Sequence, residues 1–292
     1  MTTPSLSTLA FASPSTLPEV CHLLAERTAQ GGETILLAGG TDWYVERHAK
    51  PPLVGAPLVV DLTRVAALRT IDLHGDKLVV GSATTYEDLR RSPVVSVRVP
   101  LLAEMAATVG AAQIQARGTL AGNLATGSPA ADGVAALAAL DAEIVLMSRS
   151  GERRVPLAAF YTGYRRMVCG PDELIARIEV DLPGRPSHQA WRKVGARCAQ
   201  AISKVAFAGI AVVADGRVTR IGLGMASVAP TTSFLPSVRA LALGRPPREL
   251  SGTDLDEATG QDIAPIDDIR STAAYRLHVA RALVRNFFAA LS

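Results

Sequence analysis

The segments of this chain best suited to chemistry are two glycine-rich stretches, Leu37-Ala-Gly-Gly-Thr-Asp42 and Thr119 to Asp132. Gly39 and Gly40 lack Cβ, so the backbone there can take positive φ and come close to a ligand. Successive amide N–H groups in such a turn make an anion nest, and Thr41 adds a hydroxyl. In the second stretch Gly118, Gly122 and Gly127 permit tight turns. Thr119, Asn123, Thr126 and Ser128 supply donors. Ser128-Pro129 reads as the N-cap and first residue of a helix running to about Leu140, whose free N–H groups and dipole favour phosphate. Asp132 is anionic, so it suits a sugar hydroxyl better than a phosphate. Taken singly, the first stretch is equally a strand-ending turn and the second a capped helix behind a long loop.

Other chemistries lack their residues. There is no Gly-Lys-Ser/Thr and no GxGxxG, which disfavours a P-loop nucleotidase and a Rossmann dehydrogenase. The remaining phosphate reading is a pyrophosphate held by two separated glycine turns, hence a dinucleotide such as FAD. No GxSxG elbow is present. His22, His48, His74, His188 and His278 show no HExxH spacing; His22 and His278 fall in predicted helices and His74 in a turn. Cys21, Cys169 and Cys198 make no CxxC and are too few to ligate an iron–sulfur cluster, so no metal site is expected. They read as small core hydrophobes in a reducing compartment.

The elements that must position the two stretches are legible from the pattern. Helices are expected over Leu17 to Ala29, Tyr86 to Arg91, Leu101 to Val109 and Tyr275 to Leu291. Thr34 to Ala38 is expected to be a buried strand leading into the first glycine turn. Leu58 to Leu62 and Leu174 to Leu182 also read as strands. Hairpins are expected about His74-Gly75-Asp76, Ser150-Gly151 and Asp215-Gly216. Pro183-Gly184-Arg185-Pro186 is the clearest linker. The 292 residues, 48% hydrophobic and 20% charged, suffice for two domains with sizeable cores. Net charge is only +3, and Arg153, Arg154, Arg165 and Arg166 have no interleaved aromatics, so no nucleic-acid partner is expected. No apolar run is long enough for a membrane span, and Met1 to Ser15 has no signal-peptide pattern. A cytoplasmic protein is expected.

Leu37-Ala-Gly-Gly-Thr-Asp42, Thr119-Leu-Ala-Gly-Asn123 and Ser128-Pro-Ala-Ala-Asp132, in this order, resemble the FAD-binding subunits of molybdenum-containing hydroxylases, the xanthine dehydrogenase and carbon monoxide dehydrogenase group. Phe160-Tyr-Thr-Gly-Tyr-Arg165, Pro171-Asp-Glu-Leu-Ile175, Trp191-Arg-Lys-Val-Gly195, Ala201-Ile-Ser-Lys-Val205 and Ser271-Thr-Ala-Ala-Tyr-Arg276 extend the resemblance over nearly the whole chain. It implies an α+β fold: a two-part FAD-binding domain of the vanillyl-alcohol-oxidase type over residues 1–182, with parts at about 1–60 and 61–182. A smaller α/β C-terminal domain would follow over 187–292.

By the same resemblance Leu36, Leu37, Ala38, Gly39, Gly40, Thr41 and Asp42 would cradle the pyrophosphate, with Thr119, Gly122, Asn123 and Ser128 completing the site. Asp132 would hold a ribitol or ribose hydroxyl. Val109 and Ile175 would flank the isoalloxazine. Lys193 would place a cation at the flavin edge, and Arg165 would lie near the cofactor. Ala121 stands where the family usually has Gly, and Val109 where some relatives have an aromatic. The implied partners are a molybdopterin-binding large subunit and a [2Fe–2S] small subunit, with NAD or another acceptor taking the electrons. The sequence alone also admits a stand-alone FAD oxidoreductase of the same superfold, or a non-catalytic scaffold.

Overall fold

The computed structural model describes residues 9–49, 57–182, 184 and 186–291. The N-terminal part is a small parallel sheet. Its strands are β1 (Ala10–Ala12), β2 (Thr34–Leu37) and β3 (Leu58–Asp61), in the order β1-β3-β2. Helix α1 (Leu17–Ala29) covers it with Val20, Cys21 and Leu24 and is capped by Thr16, whose hydroxyl accepts from the Glu19 amide. Parallel neighbours need a crossover between them, and α1 and α2 (Thr41–Ala49) supply two. No helix is expected from the sequence over α2, which is short and polar on average. It starts directly after the Gly39-Gly40 turn, so a helix N-terminus stands where only a turn was expected. Strand β2 is half-buried along its length rather than buried.

The middle part is an antiparallel five-stranded sheet. Its strands are β4 (Ile71–His74), β5 (Lys77–Gly81), β6 (Glu143–Ser148), β7 (Gly151–Pro156) and β10 (Leu174–Asp181), ordered β4-β5-β10-β6-β7. Between β5 and β6 run α3 (Tyr86–Arg91), α4 (Pro93–Arg98), α5 (Pro100–Thr108), α6 (Ala112–Gln115), α7 (Leu120–Thr126) and α8 (Asp132–Ala139). Between β7 and β10 lie α9 (Leu157–Phe160) and the short pair β8 (Tyr161–Gly163) and β9 (Arg166–Met167).

The expected helix from Ser128 to Leu140 is corrected by these elements. Thr119 caps α7 through its side chain, which accepts from the Gly122 amide at 2.9 Å. Gly127, at φ +60°, ends α7 in the left-handed conformation. Ser128 and Pro129 then form a turn, with the Ser128 hydroxyl accepting from Ala130 N–H, and α8 begins only at Asp132.

The C-terminal part is a three-stranded antiparallel sheet of β11 (His188–Val194), β12 (Val205–Ala214) and β13 (Arg217–Ala226). Asp215 (φ +51°) and Gly216 (φ +72°) make the two-residue turn of its hairpin, both left-handed as the strand twist requires. Helices α10 (Pro236–Ala242) and α12 (Ala273–Ala289) pack on it, α12 through Ala280, Val284, Phe287 and Phe288, and α11 (Gly252–Asp262) packs against both helices. Of the expected linker, Pro183 and Arg185 lie outside the described residues. Cys21 is buried and Cys169 half-buried against the middle core, but Cys198 is exposed, so the core reading fails for the last.

Helix α8 ties the last two sheets together. Its residues are buried from end to end, and β13 lies across it. The approach is backbone to backbone. A Cβ on Gly222 would sit 1.9 Å from the Ala139 carbonyl oxygen, and one on Gly224 would sit 2.1 Å from that of Ala135. The alanines of α8 and the glycines of β13 are therefore one packing solution. Gly224→Val is expected to cost about 1–3 kcal/mol or more through overpacking and to lower the melting temperature by several degrees in a thermal scan. Unchanged melting would contradict this account of the joint.

Candidate cofactor cleft and the buried pair behind it

The two glycine stretches meet. A Cβ on Gly39 would fall 2.1 Å from the Arg117 carbonyl oxygen, so no larger residue fits where the parallel sheet touches the segment before α7. Gly40 takes φ +72°, which an L side chain rarely adopts. From there the chain turns into α2. The amides of Gly39, Gly40, Thr41, Asp42 and Trp43 donate no hydrogen bond among the described residues. The helix thus offers its unpaired N–H groups and the positive end of its dipole to whatever lies in front of it.

What lies in front is a cleft of about 410 Å³ along the seam between the N-terminal and middle parts. Leu36, Leu37, Ala38, Gly39, Gly40, Thr41 and Asp42 line one wall. Val109, Thr119, Gly122 and Asn123 line the other, and Arg165 also lines the cleft. Polar contacts cross the seam and fix its width. The Thr126 hydroxyl donates to Asp42 Oδ2 at 2.7 Å, Arg165 Nη1 to Glu46 Oε1 at 2.8 Å, and Arg117 Nε to the Gly39 carbonyl at 3.4 Å. Some expected donors serve the fold as well: the Asn123 side-chain oxygen accepts from Gly133 N–H at 3.0 Å.

Trp43, Glu46, Tyr86, Ile114, Gly118, Ala125 and Thr126 also line the cleft. Only Gly118 and Thr126 carried a signal in the sequence. Tyr86 is 2% exposed, and its hydroxyl has no hydrogen-bond partner among the described residues.

Four expected residues lie off this lining. Ile175 is buried on β10 within the middle core. Ser128 lines a second cleft of about 490 Å³, bounded by Pro129, Arg165, Ile202, Asp268 and Arg276 and lying between the middle and C-terminal parts. Asp132 and Lys193 face one another. Lys193 Nζ donates to Asp132 Oδ2 at 2.5 Å and to the Thr108 carbonyl at 2.9 Å, and Ser203 Oγ donates to Asp132 Oδ1 at 2.5 Å. Burial pushes the Asp132 carboxyl up from its ordinary value, against the pull of Lys193 and Ser203. The pair pins β11 to the start of α8 and the end of α5. Trp191 adds a bond from its indole N–H to the Thr108 hydroxyl at 3.0 Å. Next to it Gln200 N–H donates to the Gly110 carbonyl, which lays the 195–203 loop against Val109 and Gly110.

The geometry suits an anionic dinucleotide. Free amides at the start of α2 can accept a phosphate, the glycines leave room for it, and the Asp42 carboxylate can accept from a sugar hydroxyl. Comparisons with known proteins agree. Residues 7–183 match the family described as the FAD binding domain in molybdopterin dehydrogenase, and residues 190–291 match the CO dehydrogenase flavoprotein C-terminal domain. The carbon monoxide dehydrogenase medium chain of Hydrogenophaga pseudoflava is 29% identical over 283 residues, covering 94% of each chain. The putative xanthine dehydrogenase FAD-binding subunit of Escherichia coli is 28% identical over 280 residues, covering 94% of this chain and 93% of that one. A solved structure of the Hydrogenophaga pseudoflava carbon monoxide dehydrogenase, in a form lacking the Mo-pyranopterin moiety, superimposes with a TM-score of 0.89 at 26% identity. It covers all of this chain and 98% of that one.

The buried pair gives the test of this geometry. Lys193→Met leaves the Asp132 carboxylate buried without its cation and is expected to destabilise the chain by about 3–5 kcal/mol in denaturant unfolding. Combining it with Asp132→Asn is expected to restore most of that loss. A double variant as unstable as the sum of the two singles would contradict the pairing.

Proposed function

The chain belongs to the family of FAD-binding subunits of molybdopterin dehydrogenases, and on that premise we propose that it is the electron-relaying flavoprotein of a multi-subunit molybdenum hydroxylase. In this reading a molybdopterin-binding large subunit oxidises the substrate and a [2Fe–2S] small subunit stands between it and this chain. Bound FAD supplies the redox chemistry that accepts those electrons and passes them to NAD or another acceptor. The chain itself contributes position, charge and access.

The observation that carries the reading is the set of unpaired amides from Gly39 to Trp43, at the start of a helix and against a glycine with no room for Cβ. These amides would hold the pyrophosphate, with Thr119, Gly122 and Asn123 around it; Ser128 lines the second cleft instead. Val109 would flank one isoalloxazine face from the cleft wall, while Ile175, buried in the middle core, does not line the cleft. Arg165, tied to Glu46, would bring a cation close without bringing it free. Asp132 and Lys193 would act as a neutral unit behind the flavin end: Asp132 toward a ribitol hydroxyl, Lys193 toward the flavin edge. The wording Arg192-Lys-Val-Gly195 and Gln200-Ala-Ile-Ser-Lys204 leads us to a purine-type, xanthine dehydrogenase-like complex ahead of a carbon monoxide type. We take residues 1–182 as the FAD domain, in two parts, and 187–292 as the C-terminal domain. No described helix is long and apolar enough to cross a membrane. We place the complex in the cytoplasm.

The visible spectrum of gently purified chain, with the released flavin identified after denaturation, is expected to show non-covalent, stoichiometric FAD. Gly40→Val is expected to abolish FAD retention while the C-terminal part stays folded. Its Cβ would meet Tyr44 at 3.1 Å and Leu37 at 3.3 Å, from a backbone conformation valine avoids. A folded wild-type chain that takes up no FAD, or a variant with unchanged flavin content, would contradict the proposal.

A further inference from the structure

Gln115, on α6, is a buried polar side chain, and both ends of its amide are used. Its Nε2 donates to the carbonyls of Ala107 and Val109, each at 3.0 Å, and its Oε1 accepts from Arg90 Nη1 at 2.5 Å. The two carbonyls belong to the end of α5, where a helix leaves its last carbonyls without partners of its own. Each carbonyl from Met105 to Gly110 finds a donor. Met105 accepts from the Thr108 hydroxyl, Ala106 from Val109 N–H, Thr108 from Lys193 and Gly110 from Gln200 N–H. Gln115 serves the remaining two at once.

What these bonds hold in place is an apolar stretch of the cleft wall. Val109 and Ile114, both on the lining, stand at the two ends of a short loop that Gln115 closes. The loop is tight: Gly110 takes φ +54°, and a Cβ there would fall 2.6 Å from that of Ile114. Val109 has left the helix, at φ −78° and ψ 119°, so helical bonding no longer fixes its carbonyl. With Ala107 and Val109 bound to one amide, Val109 cannot rotate without breaking one of those bonds. Packing of a flat ring on an aliphatic wall depends on that placement, because a gap of about 0.5–1 Å forfeits a quarter to a half of the attraction. Arg90 sets which end of the amide faces the carbonyls. A guanidinium only donates, so it takes the oxygen and leaves the nitrogen for them.

We infer that Gln115 is a positioning residue for the isoalloxazine ring, holding the Val109–Ile114 wall at packing distance through the carbonyls of Ala107 and Val109. This rests on reading the cleft as the FAD site with the ring against Val109. Full-length chain stripped of flavin is titrated with FAD by flavin fluorescence. Visible circular dichroism of the bound flavin then reports the ring, and its phosphorus resonances report the pyrophosphate. Gln115→Met keeps the size of the side chain and removes its donors. It is expected to weaken FAD about tenfold and to change the visible dichroism, with the phosphorus resonances as in the wild type. Arg90→Met, at an exposed position off the cleft lining, is expected to act in the same way by about two- to threefold. It decides the test if Gln115→Met does not fold. Wild-type affinity and dichroism in the deciding variant overturn the inference. A loss of affinity with the dichroism unchanged also overturns it, because the ring is then held as before. So does a loss in which the phosphorus resonances move as well, because the whole site has then loosened. A wild-type chain that takes up no FAD overturns the reading of the cleft instead.

Discussion

The contact between Gly39 and the Arg117 carbonyl is the constraint on which the rest of the site depends. With 2.1 Å between that oxygen and the place a Cβ would take, the turn after β2 and the turn between α6 and α7 touch without a side chain between them. This fixes the start of α2 against the start of α7. Everything that follows is arranged along that seam: the free amides on one wall, the Thr119 cap on the other, and the Thr126–Asp42 and Arg165–Glu46 contacts across it. The cleft is therefore a property of two closely spaced backbones more than of any one side chain, and this is why its residues are so rich in glycine.

Behind the seam, α8 does for the C-terminal part what Gly39 does for the N-terminal one. Small residues again allow close approach, here Gly222 and Gly224 against the alanines of α8. The Lys193–Asp132 pair then fixes the register between them. A buried ion pair contributes little net stability, but a mispaired register would leave a charge buried alone, which is costly. The pair thus specifies where β11 and the 195–203 loop sit relative to Val109 and Gly110. In this way a contact that does not line the cleft still sets its shape where Val109 lines it.

Much of this was legible in the sequence, and the exceptions have physical causes. The hairpin turns and α1, α3, α5 and α12 followed from periodicity, caps and Asp-Gly chemistry. The glycine stretches stood out by composition, and the residues they nominated on β2, α2 and α7 converge on one cleft. Helix α2 was missed because its sequence, Thr41-Asp-Trp-Tyr-Val-Glu-Arg-His-Ala49, is short, polar on average and follows directly on a glycine turn. Helix α7 was hidden by Gly122, Asn123 and Thr126, weak helix formers, and the favourable Ser128-Pro129 pair pointed to a start of α8 three residues early. Tyr86 and the Lys193–Asp132 contact rest on tertiary proximity, the latter across 61 residues, and no local pattern encodes it.

The central claim, that the amides at the start of α2 hold the cofactor's pyrophosphate, is tested most directly by hydrogen exchange of the full-length chain with and without FAD. Free amides exchange fast and bonded ones slowly. The account expects FAD to slow exchange strongly across Gly39 to Trp43, with weaker protection near Val109. FAD binding that leaves those five amides exchanging at their free rate would contradict it.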